Sequence, residues 1–107
     1  MMTETQHLML LAAEESIEVA QRLIKAIRFG LTEEYQGKSN AQYIAEERKD
    51  QDVVFSILED KEEFNCTWNS EMHAFKKRQK IRKYMDYSRS LGQLEGLKIA
   101  RKAGHNV

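Results

Sequence analysis

Glu15 and Glu18 stand three residues apart, and so do Glu47 and Asp50. On an α-helix, residues at i and i+3 share a face, so each pair projects as a unit. If the two helices carrying them face one another antiparallel, four carboxylates converge on one spot. There they repel strongly unless a cation lies among them. A hard, all-oxygen donor set of this kind suits Mg²⁺, with Mn²⁺ as a substitute.

Spacing alone is weak evidence. A chain with 17 acidic residues in 107 is expected to contain roughly two or three such pairs by chance, and four are present. The other two, Glu59 with Glu62 and Asp60 with Glu63, read as a solvated helix end. Position says more. Glu15 continues the apolar line of Leu8, Leu11 or Ala12 and Val19, while Glu47 and Asp50 lie between Tyr43 or Ile44 and Val54 or Ile57. A charge inside an apolar stripe is costly unless paired or metal-bound, whereas the same charge on a solvated face needs no explanation.

The elements that must position these groups are helices. Thr3 with Gln6 has capping-box spacing. Leu8, Leu11, Ala12, Val19, Leu23, Ala26 and Ile27 then recur with helical period, and Gly30 is suited to a left-handed C-cap, so a first helix is expected over Glu4–Phe29. Leu31–Lys38 reads as a loop. Ser39 with Gln42 repeats the capping box and opens a second helix over Asn40–Phe64, its apolar stripe being Tyr43, Ile44, Val54, Phe55, Ile57 and Leu58. Asn65–Ser70 breaks the pattern. A third helix is expected over Ser70–Arg89 through Met72, Phe75, Ile81, Tyr84 and Met85, and a short last one near Leu94–Lys102 before a loosely ordered tail.

At 107 residues the chain is read as one all-α domain. Proline is absent and no alternating β-type run occurs, which favours helix throughout. So short a domain has a thin core. A helical hairpin plus a third helix closes into a four-helix-bundle-like core only by pairing with another copy, so a homodimer or homotetramer is expected. The single cysteine, Cys66, permits no internal disulfide; with no signal pattern and no membrane-length apolar run, this points to the cytoplasm and away from membranes. Net charge is zero but divided. Met1–Phe64 carries 14 acids against 7 Lys and Arg, and Asn65–Val107 carries 3 against 10.

The residues around the carboxylates carry a resemblance. His7-Leu8 through Ala13-Glu14-Glu15-Ser16-Ile17-Glu18-Val19-Ala20-Gln21, then Lys25-Ala26-Ile27-Arg28-Phe29-Gly30, resembles the first helix of MazG-like all-alpha nucleoside triphosphate pyrophosphatases, in particular the small stand-alone phage and bacterial versions. The family signature, ExxE followed by ExxD, is matched by Glu15 and Glu18, then Glu47 and Asp50 after 28 intervening residues. The segment Lys83–Arg89 has a similar look. One departure is the polar setting of the second motif, Glu46-Glu47-Arg48-Lys49-Asp50-Gln51-Asp52.

The resemblance implies Mg²⁺-dependent hydrolysis between the α- and β-phosphates of a ribo- or deoxyribonucleoside triphosphate, giving a monophosphate and pyrophosphate. It implies that Glu15, Glu18, Glu47 and Asp50 hold the metal and form the catalytic centre, with Glu18 or Glu14 as a candidate to orient water or accept its proton. Lys25 and Arg28 are candidates for the polyphosphate, their ordinary reading being cations at a helix C-terminus. Asn40 is a candidate for base or sugar contact, its ordinary reading being a helix cap. His7 is a candidate for stacking on a base, and its ordinary reading is an exposed helix residue. Trp68 could close a base pocket, though covering a bundle end is the plainer role.

A different class of function competes. Lys76, Lys77, Arg78, Lys80, Arg82 and Lys83 form a basic run on the third helix. A non-enzymatic interaction protein using that helix on nucleic acid or a host protein is the alternative; because aromatics are not interleaved in the run, nucleic acid is not the expected partner. A family member that keeps the fold without turnover is the third reading.

Overall fold

The computed structural model describes residues 1–64 and 70–96. It is mostly helical: α1 spans Glu4–Phe29, α2 Asn40–Glu59 and α3 Ser70–Ser90, with a two-stranded ribbon, β1 (Glu34–Tyr35) and β2 (Lys38–Ser39), between the first two helices. Contacts divide the chain into two compact units, Met1–Cys66 and Thr67–Val107.

In the first unit α1 begins where Thr3 and Gln6 complete their capping box, and α2 begins where Ser39 and Gln42 complete theirs. Each box satisfies orphan amides at a helix start. α1 ends at Gly30, whose φ of 95° is positive as the glycine suggests. Its ψ of 151° takes it out of the left-handed helical region expected of the cap and into ground that only glycine occupies readily. The Gly30 N–H donates to the Ala26 carbonyl, and the Gly30 carbonyl accepts from Asn40 Nδ2 at 2.8 Å.

The segment expected to be a plain loop contains the ribbon. Glu34 pairs with Ser39 and Tyr35 with Lys38, which leaves a two-residue turn of Gln36 and Gly37. Both have positive φ, 52° and 82°, as a type I′ turn requires. Gly37 meets that demand without strain; Gln36 meets it against its preference.

α1 and α2 form an antiparallel hairpin. Contacts show the sense directly: Glu4 meets Lys61, Ser16 meets Gln51 and Arg22 meets Tyr43, so one helix retreats as the other advances. α2 stops at Glu59, five residues short of the expected Phe64, because the chain turns there to meet the start of α1. Thr5 Oγ1 donates to Glu63, and Lys61 Nζ donates to Glu4. These bonds hold the Glu63 and Glu4 carboxyls below the ordinary carboxylate range.

The hairpin core is thin. Leu58, 1% exposed, is the one large apolar side chain fully buried among the described residues, and Ala12 and Ala26 are the other buried apolar ones. Burial of Leu58 contributes roughly 2 kcal/mol. Polar ties supplement it. Asn40 is buried, and the Tyr43 hydroxyl donates to the Tyr35 carbonyl at 2.7 Å, fixing the ribbon to α2.

In the second unit α3 ends in a Schellman motif: Gln93 N–H donates to the Ser88 carbonyl at 3.0 Å and Gly92 N–H to the Arg89 carbonyl at 2.9 Å. Asp86 is buried and pairs with Arg89 Nη1 at 3.3 Å. Residues 94–96 are not helical, and the rest of the expected last helix, like Cys66 and Trp68, lies outside the described residues. No described helix is long and apolar enough to cross a membrane.

Candidate metal centre

The hairpin brings three of the four motif carboxylates together. Glu15, Glu18 and Glu47 each offer an oxygen, and all three oxygens lie within 4.8 Å of one another. Glu15 and Glu18 share a face of α1; Glu47 sits one turn after Tyr43 on α2. Their level is fixed by a polar bridge next to them, in which Gln51 Nε2 donates to Ser16 Oγ at 2.9 Å and Ser16 Oγ donates to the Ala12 carbonyl at 3.0 Å.

Asp50 is not part of the converging group. It is exposed, and Glu47 feels its charge as a repulsion. Among the described residues one cation answers the acids directly: Arg22 Nε lies 3.7 Å from Glu47 Oε1. One guanidinium cannot neutralise three carboxylates. Burial, then a hydrogen bond shared with Glu18 and the charge of that group, push the Glu47 carboxyl above its ordinary range; Arg22 opposes the push and Asp50 adds to it.

Two further atoms bear on what the site could hold. Glu15 Oε2 and Glu47 Oε2 are buried with no hydrogen-bond donor. A buried acceptor left unpartnered costs about 1–3 kcal/mol, and more if charged. Two such oxygens within one carboxylate group fit a divalent cation of the hard, oxygen-seeking kind, Mg²⁺ or Mn²⁺.

Beside the carboxylates runs a cleft of about 390 Å³ lined by Glu18, Gln21, Arg22, Lys25 and Glu47. Its two cations are held by aromatic rings, Arg22 over Tyr43 at 4.2 Å and Lys25 over Tyr35 at 5.0 Å. Such contacts add roughly 0.5–1 kcal/mol each at exposed sites and fix where the charge points. Through Tyr35 the ribbon meets Lys25.

The other sequence candidates fall elsewhere. Arg28 is exposed and does not line the cleft, and neither does the exposed His7, near the start of α1 and about 12 Å along the axis from Glu15. Asn40 is 2% exposed and its amide donates to the Gly30 carbonyl, a bond that joins the end of α1 to the start of α2. Sequence reasoning passed over Arg22 and Gln21. The signal for Arg22 was its place four residues after Glu18, on the same helix face.

A larger concavity, about 510 Å³, lies along α3 among Arg78, Ile81, Arg82, Met85, Asp86 and Arg89, but it holds no carboxylate group of this kind. No protein-family model matches this chain, and searches of curated proteins and of solved structures return no relative.

Proposed function

We propose that this chain is a Mg²⁺-dependent nucleoside triphosphate pyrophosphohydrolase of the MazG-like kind, cleaving (d)NTP to (d)NMP and pyrophosphate. The observation that carries the reading is the convergence of Glu15, Glu18 and Glu47 with two orphaned buried oxygens, next to a cleft holding Arg22 and Lys25. Carboxylates for a cation beside cations for a polyphosphate are the complementary halves of a metal–triphosphate site.

Glu15, Glu18 and Glu47 would hold the ion, which when bound neutralises charge on phosphate oxygens. Lys25 and Arg22 would bind the remaining polyphosphate charge. Glu18, the exposed member of the three, is suited to orient the attacking water and take its proton as the α–β phosphoanhydride breaks. Asp50 acts in this reading as a distant charge, or as a ligand only after α2 side chains rearrange. The cleft volume is near the lower end of the roughly 300–1,000 Å³ of small-molecule sites, which suits a polyphosphate better than a whole nucleotide.

The test is product analysis after incubation with a panel of NTPs and dNTPs, with Mg²⁺ or with EDTA. Monophosphate and pyrophosphate formed only with metal is the expected result; no turnover of any nucleotide with any divalent ion would remove the reading. A second reading draws on α3, where Lys76, Lys77, Arg78, Lys80, Arg82 and Lys83 are all exposed. A salt-sensitive shift of DNA without Mg²⁺-dependent turnover would favour that interaction role.

A further inference from the structure

We infer that the cleft beside the carboxylates recognises the phosphate chain itself, so that inorganic tripolyphosphate is bound and cleaved there as readily as a nucleoside triphosphate. Glu18, Gln21, Arg22 and Lys25 fall within about 100° of one another around α1, so with Glu47 of α2 they line a strip along one helix face. Every described residue lining it is a charge or an amide. From Glu18 to Lys25 the strip rises roughly 10 Å, on the order of the length of an extended triphosphate. Helix side chains tilt toward the N-terminus, so Arg22 and Lys25 lean back along the strip toward the carboxylates. Phosphates laid along it from the carboxylate end meet Arg22 and then Lys25.

The rings that flank the strip are already covered by cations. Tyr43 carries Arg22 at 4.2 Å and Lys38 at 5.7 Å, and Tyr35 carries Lys25 at 5.0 Å. The Tyr43 hydroxyl donates to the Tyr35 carbonyl at 2.7 Å, and Lys38 Nζ donates to Glu46 at 2.7 Å, so rings and cations belong to one frame. A base stacking on either ring would displace the cation lying there. For Arg22 and Lys25, the phosphates would lose what the base gained. Recognition by charge leaves the nucleoside outside the contacts of the cleft.

The bond chemistry carries over unchanged. The terminal phosphorus of tripolyphosphate differs from the α-phosphorus of a nucleotide in having a free oxygen where the nucleoside is attached. The oxygen of water bonds to that phosphorus and its proton passes to Glu18. The bridging P–O bond breaks with its electron pair on the leaving pyrophosphate, so the products are phosphate and pyrophosphate. Cleavage of tripolyphosphate rests on the proposed pyrophosphohydrolase chemistry; its binding rests on the cleft and its cations.

The test compares tripolyphosphate with ATP, GTP, CTP and UTP in Mg²⁺, following both cleavage and the rise in melting temperature that each ligand gives. Catalytic efficiencies within about tenfold of one another are expected, with melting shifts of similar size. Lys25→Ala should weaken tripolyphosphate and ATP alike, by about tenfold or more, the loss of one charge-assisted contact. Tyr35→Leu keeps the backbone carbonyl that Tyr43 needs and should change both ligands by the same factor. A loss for nucleotides alone in Tyr35→Leu would make that ring a base-stacking surface and overturn the inference. Nucleotide cleavage with tripolyphosphate more than about tenfold less efficient, or a melting shift from nucleotides alone, would overturn it and leave the pyrophosphohydrolase standing. Cleavage of tripolyphosphate with no nucleotide turned over would keep the phosphate-chain site and remove the nucleotide as substrate. No cleavage of any of the five would overturn both.

Discussion

Arg22 Nε lies 3.7 Å from Glu47 Oε1, while the Arg22 guanidinium stacks 4.2 Å above the Tyr43 ring. The two partners sit one helical turn apart on α2, so a single side chain of α1 is clamped between a charge and an aromatic face. The pair is partly exposed, 30% and 16%, which limits its worth in stability to about 1 kcal/mol or less. Its consequence for chemistry is larger, because among the described residues it is the one cation paired with the carboxylate group.

Arg22→Ala is therefore expected to cost little stability but to push the Glu47 carboxyl further up and to weaken substrate binding. Arg22→Lys should restore charge without the planar stacking. The readout is the ratio of effects on KM and kcat in steady-state hydrolysis. A loss in thermal stability alone, with turnover intact, would reduce Arg22 to a packing residue.

The raised Glu47 carboxyl makes a pH prediction with a definite sign. In the unfolded chain this group releases its proton near the ordinary value of 4.5, while the folded hairpin still holds it. The native state then binds more protons than the unfolded one, so metal-free stability falls as pH rises from 4.5 through the raised value. Glu4 and Glu63, both lowered, act in the opposite sense and on the acid side, their contribution being lost as pH falls below 4.5. Denaturation in EDTA across pH should show the decline above 4.5, and Glu47→Gln should flatten it. Adding Mg²⁺ should reverse the trend, since binding favours the deprotonated ligands.

Glu15→Gln and Glu18→Gln are expected to lower Mg²⁺-dependent turnover by about 100-fold or more, beyond the 10–100-fold typical when a residue supporting a metal ligand is lost. Asp50→Asn should be milder, because Asp50 lies outside the converging oxygens. Parallel kinetics on the three variants check the order. Equal, complete loss in Asp50→Asn would show that α2 rearranges to bring that carboxylate in.

Much of the fold was legible, and for local reasons. The capping boxes at Thr3 and Ser39 and the glycine at position 30 bounded α1 on both sides and α2 at its start. The end of α2 was not legible, because Glu59–Glu63 carries no stop signal and the turn there is made by tertiary bonds to Glu4 and Thr5. The ribbon was missed because strands of two residues leave no alternation to read, though Gln36-Gly37 was the available hint. At the site, the spacing of Glu15 and Glu18 places both in the converging group, whereas Asp50 does not join Glu47 there. Which of the four converge depends on how α1 and α2 are rotated against each other, and that is set by packing around Ala12, Ala26 and Leu58.

Asn40 Nδ2 donates to the Gly30 carbonyl and so ties the two helices of the hairpin together. Asn40→Ala should destabilise the hairpin by about 1–3 kcal/mol, since it leaves the Gly30 carbonyl without its donor. Chemical denaturation measures this directly. An unchanged midpoint with altered nucleotide preference would return Asn40 to the substrate site.

The most direct test of the whole account is binding of Mn²⁺, followed through the loss of the free-ion paramagnetic resonance signal. The parent should bind the ion, Glu15→Gln and Glu18→Gln should lose it, and Asp50→Asn should largely retain it. Absence of binding by the parent, or binding untouched by the loss of Glu15 and Glu18, would contradict the assignment of these carboxylates as a metal centre.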